Sequence, residues 1–238
     1  MKKLLFAFVL VLAAWSAAGQ KTVITDANVV ARTLNGSFTA IKVSGSIDLY
    51  LSQSDTESAA VSAGDEEQRE NIKTVVENGT LRIYYKGNSM FKWKNHSLKV
   101  YVSFKKLEQL TISGASAVQV TGAIETGYLS VNCSGASTFK SVVKADELHI
   151  DLSGASDTRI SGVAGSLKVV CSGASDLKGY DLLADSCDAK ASGASSIKVT
   201  VNKEINVRAS GASSILFKGD AVIRDMHSSG ASTVSRKK

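Results

Sequence analysis

The chain has 238 residues, a formal net charge of +6, no proline, three cysteines and only 6% aromatic side chains. That length allows one sizeable domain or two small ones, and three cysteines spread through it exclude a disulfide framework. A mild positive excess with so few aromatics excludes a dedicated nucleic-acid binder or base-stacking platform, and the lack of proline suits an architecture that uses nearly every backbone N–H in a ladder.

Residues 1–19 read as a secretory signal peptide. In "MKKLLFAFVLVLAAWSAAGQ" two lysines precede an apolar run, Leu4 to Ala14, too short to span a bilayer. Small residues follow, and cleavage is expected after Ala18 or Gly19. No cysteine lies near the cut, which argues against a lipid anchor, and no later segment reaches transmembrane length. The expected location is the periplasm, the outer cell surface or the extracellular space. Loss of Lys2 and Lys3 lowers the formal charge from +6 to +4.

Residues 20–238 are expected to form one β-solenoid domain, irregular over 28–105 and regular over 106–238. In the irregular half "SFTAIKVSGSIDLYLSQ" alternates apolar and polar residues, and Ser44-Gly45-Ser46 resembles a degenerate corner. "GDEEQRENIK" predicts a short helix starting at Asp65, with acids in its first turn. Asn78-Gly79 predicts a hairpin turn. The stretch "KGNSMFKWKNHS", 86–97, gathers Met90, Phe91 and Trp93 among lysines. Phe91 and Trp93 are candidate sugar- or surface-binding residues, and the bland alternative is that they close one side of the solenoid. This half reads as diverged rungs plus a cap, since a solenoid needs an atypical terminal repeat.

From Ser113 onward Ser-Gly-Ala-Ser occurs seven times, beginning at Ser113, Ser134, Ser153, Ser172, Ser192, Ser210 and Ser229. The spacings are 21, 19, 19, 20, 18 and 19 residues, a period that signals a solenoid. The residues before the middle five copies alternate with period two: Leu129, Val131 and Cys133; Leu148, Ile150 and Leu152; Leu167, Val169 and Cys171; Cys187, Ala189 and Ala191; Ile205, Val207 and Ala209. After the tetrapeptide a second strand sends Val118, Phe139, Thr158, Leu177, Ile197, Ile215 and Val234 inward. Each repeat is therefore strand, corner, strand and looser return, stacked at about 4.8 Å.

The corner glycines, Gly114, Gly135, Gly154, Gly173, Gly193, Gly211 and Gly230, are expected to take a backbone conformation that a side chain hinders. Alanine is expected inside the tight bend, and the serines are expected to bond backbone or neighbouring rungs. The three cysteines fall in inward columns, where a thiol behaves as a small apolar residue. Cys133 and Cys171 share a column two rungs apart, beyond disulfide reach. The C-terminal "SGASTVSRKK" carries no evident cap, so its open strand edge is a place for self-association.

Two candidate chemistries can be weighed on the outward faces. Lys140, Arg159, Lys178 and Lys198 occupy one outward column on four successive rungs, a row that an anionic partner such as a uronate, a sulfated sugar or a lipopolysaccharide phosphate would relieve. The competing view is a solvated face partly neutralised by Asp157 and Asp176. Catalysis is not expected. His149, Asp151, Lys168, Asp188, Lys190, Arg208, Asp225 and His227 form a mixed-sign surface on the other strand, and no histidine accompanies the serines. No metal-ligand spacing, phosphate loop or nucleophile elbow is present, so no metal or cofactor is expected.

Taken together, "FTAIKVSGSIDLYLSQ", "VSAGDEEQRENIKTVVENGTLRI" and the reiterated "SGAS" resemble the head GIN domain family of auto-transporter adhesins, common in Bacteroidetes, over about Asn28 to Lys238. The resemblance implies a right-handed parallel β-helix and an envelope or extracellular location. It brings no catalytic residues, and no autotransporter barrel is visible after the last repeat. The expected function is a non-enzymatic surface protein that binds a partner, a glycan or cell-surface component. The alternatives are a polysaccharide-active β-helix enzyme and a scaffold that stacks on itself.

Overall fold

The computed structural model describes residues 28–87 and 98–238. The expected signal peptide at 1–19 and the candidate residues Phe91 and Trp93 lie outside the described residues. Among the described residues, sixteen strands and one short helix form a parallel β-solenoid of about seven turns with rungs of about 19 residues.

The N-terminal half contributes β1 (Val30–Arg32), β2 (Ala40–Val43), β3 (Ile47–Gln53), β4 (Ser58–Ser62), helix α1 (Glu66–Asn71), β5 (Ile72–Glu77), β6 (Thr80–Tyr85), β7 (Leu98–Phe104) and β8 (Gln109–Ile112). Asp65 caps α1, its carboxylate accepting the Gln68 N–H at 2.7 Å. Asn78 and Gly79 both take positive φ, 49° and 70°, in the two-residue turn that joins antiparallel β5 and β6.

Rungs in this half do not stack in chain order. β2 and β3 make one rung around Gly45, and β6 and β7 lie beside it on its outer side, each parallel to its neighbour. The chain then returns through β8, which pairs with the free edge of β2. Beyond β6 and β7 the pairing turns antiparallel, with β4 on β7, β1 on β4 and β5 on β6. That reversal ends the solenoid on the N-terminal side.

The regular half consists of five long bent strands, β9 (Ala117–Cys133), β10 (Thr138–Leu152), β11 (Asp157–Cys171), β12 (Asp176–Ala191) and β13 (Ser196–Ala209). These are followed by β14 (Ser214–Lys218), β15 (Val222–Ser228) and β16 (Thr233–Arg236). Every pairing in this half is parallel and in register on the corner. The alternating apolar residues form continuous buried columns, such as Leu110, Val131, Ile150, Val169, Ala189 and Val207. All three cysteines are buried and unbridged.

The corners show why the tetrapeptide recurs. The seven motif glycines have φ between +70° and +76°. A Cβ built on any of them would lie 2.4–2.9 Å from the carbonyl oxygen of the glycine one rung back. Through that carbonyl the next alanine N–H is held, at 2.7 Å from Gly45 to Ala115 and at 2.8 Å from Gly135 to Ala155. Gly45 therefore heads the same stack. The fourth serine is buried from Ser116 to Ser213, and Ser195 Oγ donates to Ser192 O at 2.8 Å and to Cys171 O at 3.1 Å. The alanine departs from expectation. It faces solvent in all seven copies, because the left-handed glycine turns it outward on the ridge of the corner.

Candidate functional site

The outward face that follows the corner carries the basic column. Register pairs Lys140 with Arg159, Arg159 with Lys178 and Lys178 with Lys198, so the four cations stand on consecutive rungs, spanning roughly 14 Å at the usual strand spacing. Immediately corner-ward lies a second column, Ala117, Thr138, Asp157, Asp176 and Ser196.

These two columns neutralise each other only in part. Lys178 hydrogen-bonds the carboxylate of Asp157 and lies 3.5 Å from that of Asp176. The Asp157 bond, with the charge of both carboxylates, holds the Lys178 ammonium above its ordinary pKa. Lys198 Nζ is 3.8 Å from Asp176 Oδ1, an ion pair too long for a hydrogen bond. Lys140 and Arg159 are exposed and have no ion-pair or hydrogen-bond partner among the described residues. On their rungs the adjacent acid is replaced by Thr138, or, as Asp157, is engaged by Lys178.

The column continues past Lys140 through Gln119, which the same spacing places in it, to two tyrosines that sequence reading did not assign to it. Lys140 pairs with Gln119, Gln119 with Tyr50 and Tyr50 with Tyr101. The two tyrosine rings stack, with centroids 5.2 Å apart and planes at 17°. Beside them Asp48 is partly buried, and that burial raises its carboxyl pKa against the opposing charge of Lys99. A signal for the tyrosine existed. Each column member sits five residues after its corner glycine, and Gly45 plus five is Tyr50.

The strand face on the other side of the corner holds the mixed-sign residues. A depression of about 380 Å³ is lined by Glu147, His149, Lys168, Asp188 and Glu204, among others. Its two glutamates share a column with Ser166 and Ser186 between them, roughly 14 Å apart and wider than the ~5–9.5 Å that separates paired glycosidase carboxylates. Each is also engaged, Glu147 by His149 at 2.8 Å and Glu204 by Arg224 at 3.2 Å. Nearer the corner, Lys190, Arg208 and His227 border a second hollow of about 310 Å³, and Asp225, on the same strand as His227, meets both Arg208 and His227 at 2.9 and 3.1 Å.

Comparison with known proteins agrees with this architecture. Residues 37–221 match the family described as "Putative auto-transporter adhesin, head GIN domain". No curated protein matches the chain. Among solved structures, a "putative adhesin" from Bacteroides fragilis is similar with a TM-score of 0.80 at 19% identity, covering 88% of this chain and 97% of that one. A "putative adhesin" from Parabacteroides distasonis gives 0.71 at 20% identity, with the same coverage. A "putative lipid binding protein" from the same species gives 0.64 at 22% identity, over 89% and 97%. At these identities the likeness is one of fold.

Proposed function

The chain belongs to the head GIN domain family of "putative auto-transporter adhesins", and on that footing we propose that it is an exported, non-enzymatic binding protein that contacts anionic glycans at the cell envelope. The observation that carries this reading is the unequal compensation of one column. Lys178 and Lys198 are paired with carboxylates, whereas Lys140 and Arg159 stand on adjacent strands without an ion-pair partner among the described residues. Like charges directly opposite on neighbouring strands are unfavourable, and a bound carboxylate, sulfate or phosphate would relieve them.

An array of acidic and neutral glycans tests this. The wild-type chain is expected to retain acidic glycans, and the Lys140→Ser/Arg159→Ser double variant to lose them by about tenfold or more, from two charge-assisted contacts. Lys178→Ser/Lys198→Ser should lose much less. Equal losses in both variants, or no acidic glycan bound at the outset, would refute the reading.

A second reading, self-stacking, is favoured by one feature of the C-terminal end. Among the described residues β15 pairs only with β13, and Val222, Ile223 and Met226 on it are 56%, 40% and 54% exposed. An unpaired edge strand with apolar side chains invites another strand. Sedimentation over a range of concentrations would reveal assembly, and Met226→Lys should abolish it. A single monomeric species throughout would eliminate this second reading.

A further inference from the structure

Resting on the anionic-glycan reading of the same face, we propose that Tyr50 and Gln119 form a sugar-ring subsite adjoining the acid-binding pair Lys140 and Arg159. The ligand is then a chain of pyranose rings laid along the solenoid axis, not an isolated anion. The order of residues in the column carries this. Tyr50, Gln119, Lys140 and Arg159 succeed one another rung by rung. Tyr101 stacks on one side of Tyr50, and Gln119 is the register neighbour on the other. An aromatic side chain therefore borders a short neutral interval that ends at two unpaired cations.

That interval fits a sugar in its chemistry. An aromatic ring offers an apolar surface with a polar tip, suited to the apolar face of a pyranose. The amide of Gln119 both donates and accepts, as sugar hydroxyls require. Ala117 and Thr138 in the neighbouring column are small or hydroxylated, so the floor stays low beside Gln119 and Lys140, while Asp48 and Lys99 flank the tyrosines. Tyr50 and Lys140 are two rungs apart, about 10 Å, so a single oxyanion cannot reach both. Single-stranded nucleic acid uses successive stacking platforms. Here the two tyrosines are stacked on each other, leaving no second platform along the basic rungs among the described residues, which favours the sugar.

Binding is to be measured on the mature chain with heparin-derived oligosaccharides, oligogalacturonate, lipopolysaccharide, inorganic sulfate and a single-stranded oligonucleotide. Oligosaccharide affinity is expected to rise with chain length, and inorganic sulfate to bind weakly. The three glycan probes separate sulfate, carboxylate and phosphate as the acid. Tyr50→Leu should weaken oligosaccharide binding about tenfold, the upper worth of an aromatic contact, without changing the response to sulfate. Tyr50→Phe should keep the affinity, and Lys140→Ser/Arg159→Ser should lose both ligands. Gln119→Ala gives the same reading if Tyr50→Leu fails to fold.

Unchanged oligosaccharide affinity in Tyr50→Leu and Gln119→Ala, with loss in the lysine–arginine variant, would overturn the ring subsite and leave the anionic reading standing. Failure of the wild type to bind any acidic glycan would overturn both. Tightest binding to the oligonucleotide would replace the sugar with nucleic acid.

Discussion

Lys178 reaches back one rung to hydrogen-bond the carboxylate of Asp157, and Arg159, two residues beyond Asp157 on the same strand, is left without a partner. Asp157 thus engages the cation one rung on and leaves the one on its own strand unneutralised. We predict that Asp157→Asn removes the hydrogen bond on Lys178, leaving only the longer Asp176 pair at 3.5 Å, and increases affinity for acidic oligosaccharides severalfold, with a steeper salt dependence. Stability should change by no more than about 0.5–1 kcal/mol, the usual worth of a surface ion pair. Affinity measured at low and high ionic strength checks this. A variant that binds more weakly than wild type would show that Asp157 contacts the ligand itself.

The glycines differ from one another in what surrounds them, and substitution should rank them. At Gly154, φ is +70° and an added Cβ would lie 2.6 Å from Gly135 O. Left-handed backbone and a backbone clash together predict a loss of at least ~3 kcal/mol for Gly154→Ala. Gly45 has φ of +106° with nothing within 4 Å, so Gly45→Ala carries backbone strain alone, about 1–2 kcal/mol. Gly127 has neither constraint, its nearest neighbour being Asp146 Oδ2 at 3.5 Å, and Gly127→Ala should be neutral or stabilise by ~0.5 kcal/mol. Urea midpoints of the three variants test the order, and a Gly154→Ala protein as stable as Gly127→Ala would break it.

The regular half was legible because one period carries everything: Leu148, Ile150 and Leu152 alternate inward, and the corner fixes their register to Leu167, Val169 and Cys171 one rung on. Strands of the irregular half were legible singly, through alternation, the Asp65 cap and the Asn78-Gly79 turn. Their order was not. Placing β6 and β7 outside β2 and β3 depends on which edge each strand finds, and nothing local to "TLRIYY" or "LKVYVSF" encodes that choice. The same gap hid Tyr101, which joins the column only through its pairing with Tyr50. At the column itself, the four cations were evident from spacing. The division between Lys178, held by Asp157, and Arg159, unpaired, depends on side-chain direction, which period-two reasoning does not reach.

The buried thiols make the alkaline limit of stability predictable. Burial pushes Cys133, Cys171 and Cys187 each up to about 12 from an ordinary value of 9.0. Below pH 9 both folded and unfolded thiols are protonated and contribute no pH dependence. Between about 9 and 12 the unfolded chain releases these protons while the folded chain keeps them. The native state then binds more protons, and stability falls as pH rises. At about pH 10.5 each thiol should cost on the order of 2 kcal/mol relative to pH 8. Replacing all three with alanine removes this component while leaving lysine and tyrosine titrations in place. The difference in urea stability between pH 8 and about pH 10.5 should therefore be several kcal/mol smaller in the triple variant than in wild type. Equal pH dependence in the two proteins would mean that the thiols ionise as readily folded as unfolded. Rapid alkylation of the native protein by iodoacetamide at pH 8 would point the same way, because a thiol that stays protonated and enclosed is a poor nucleophile.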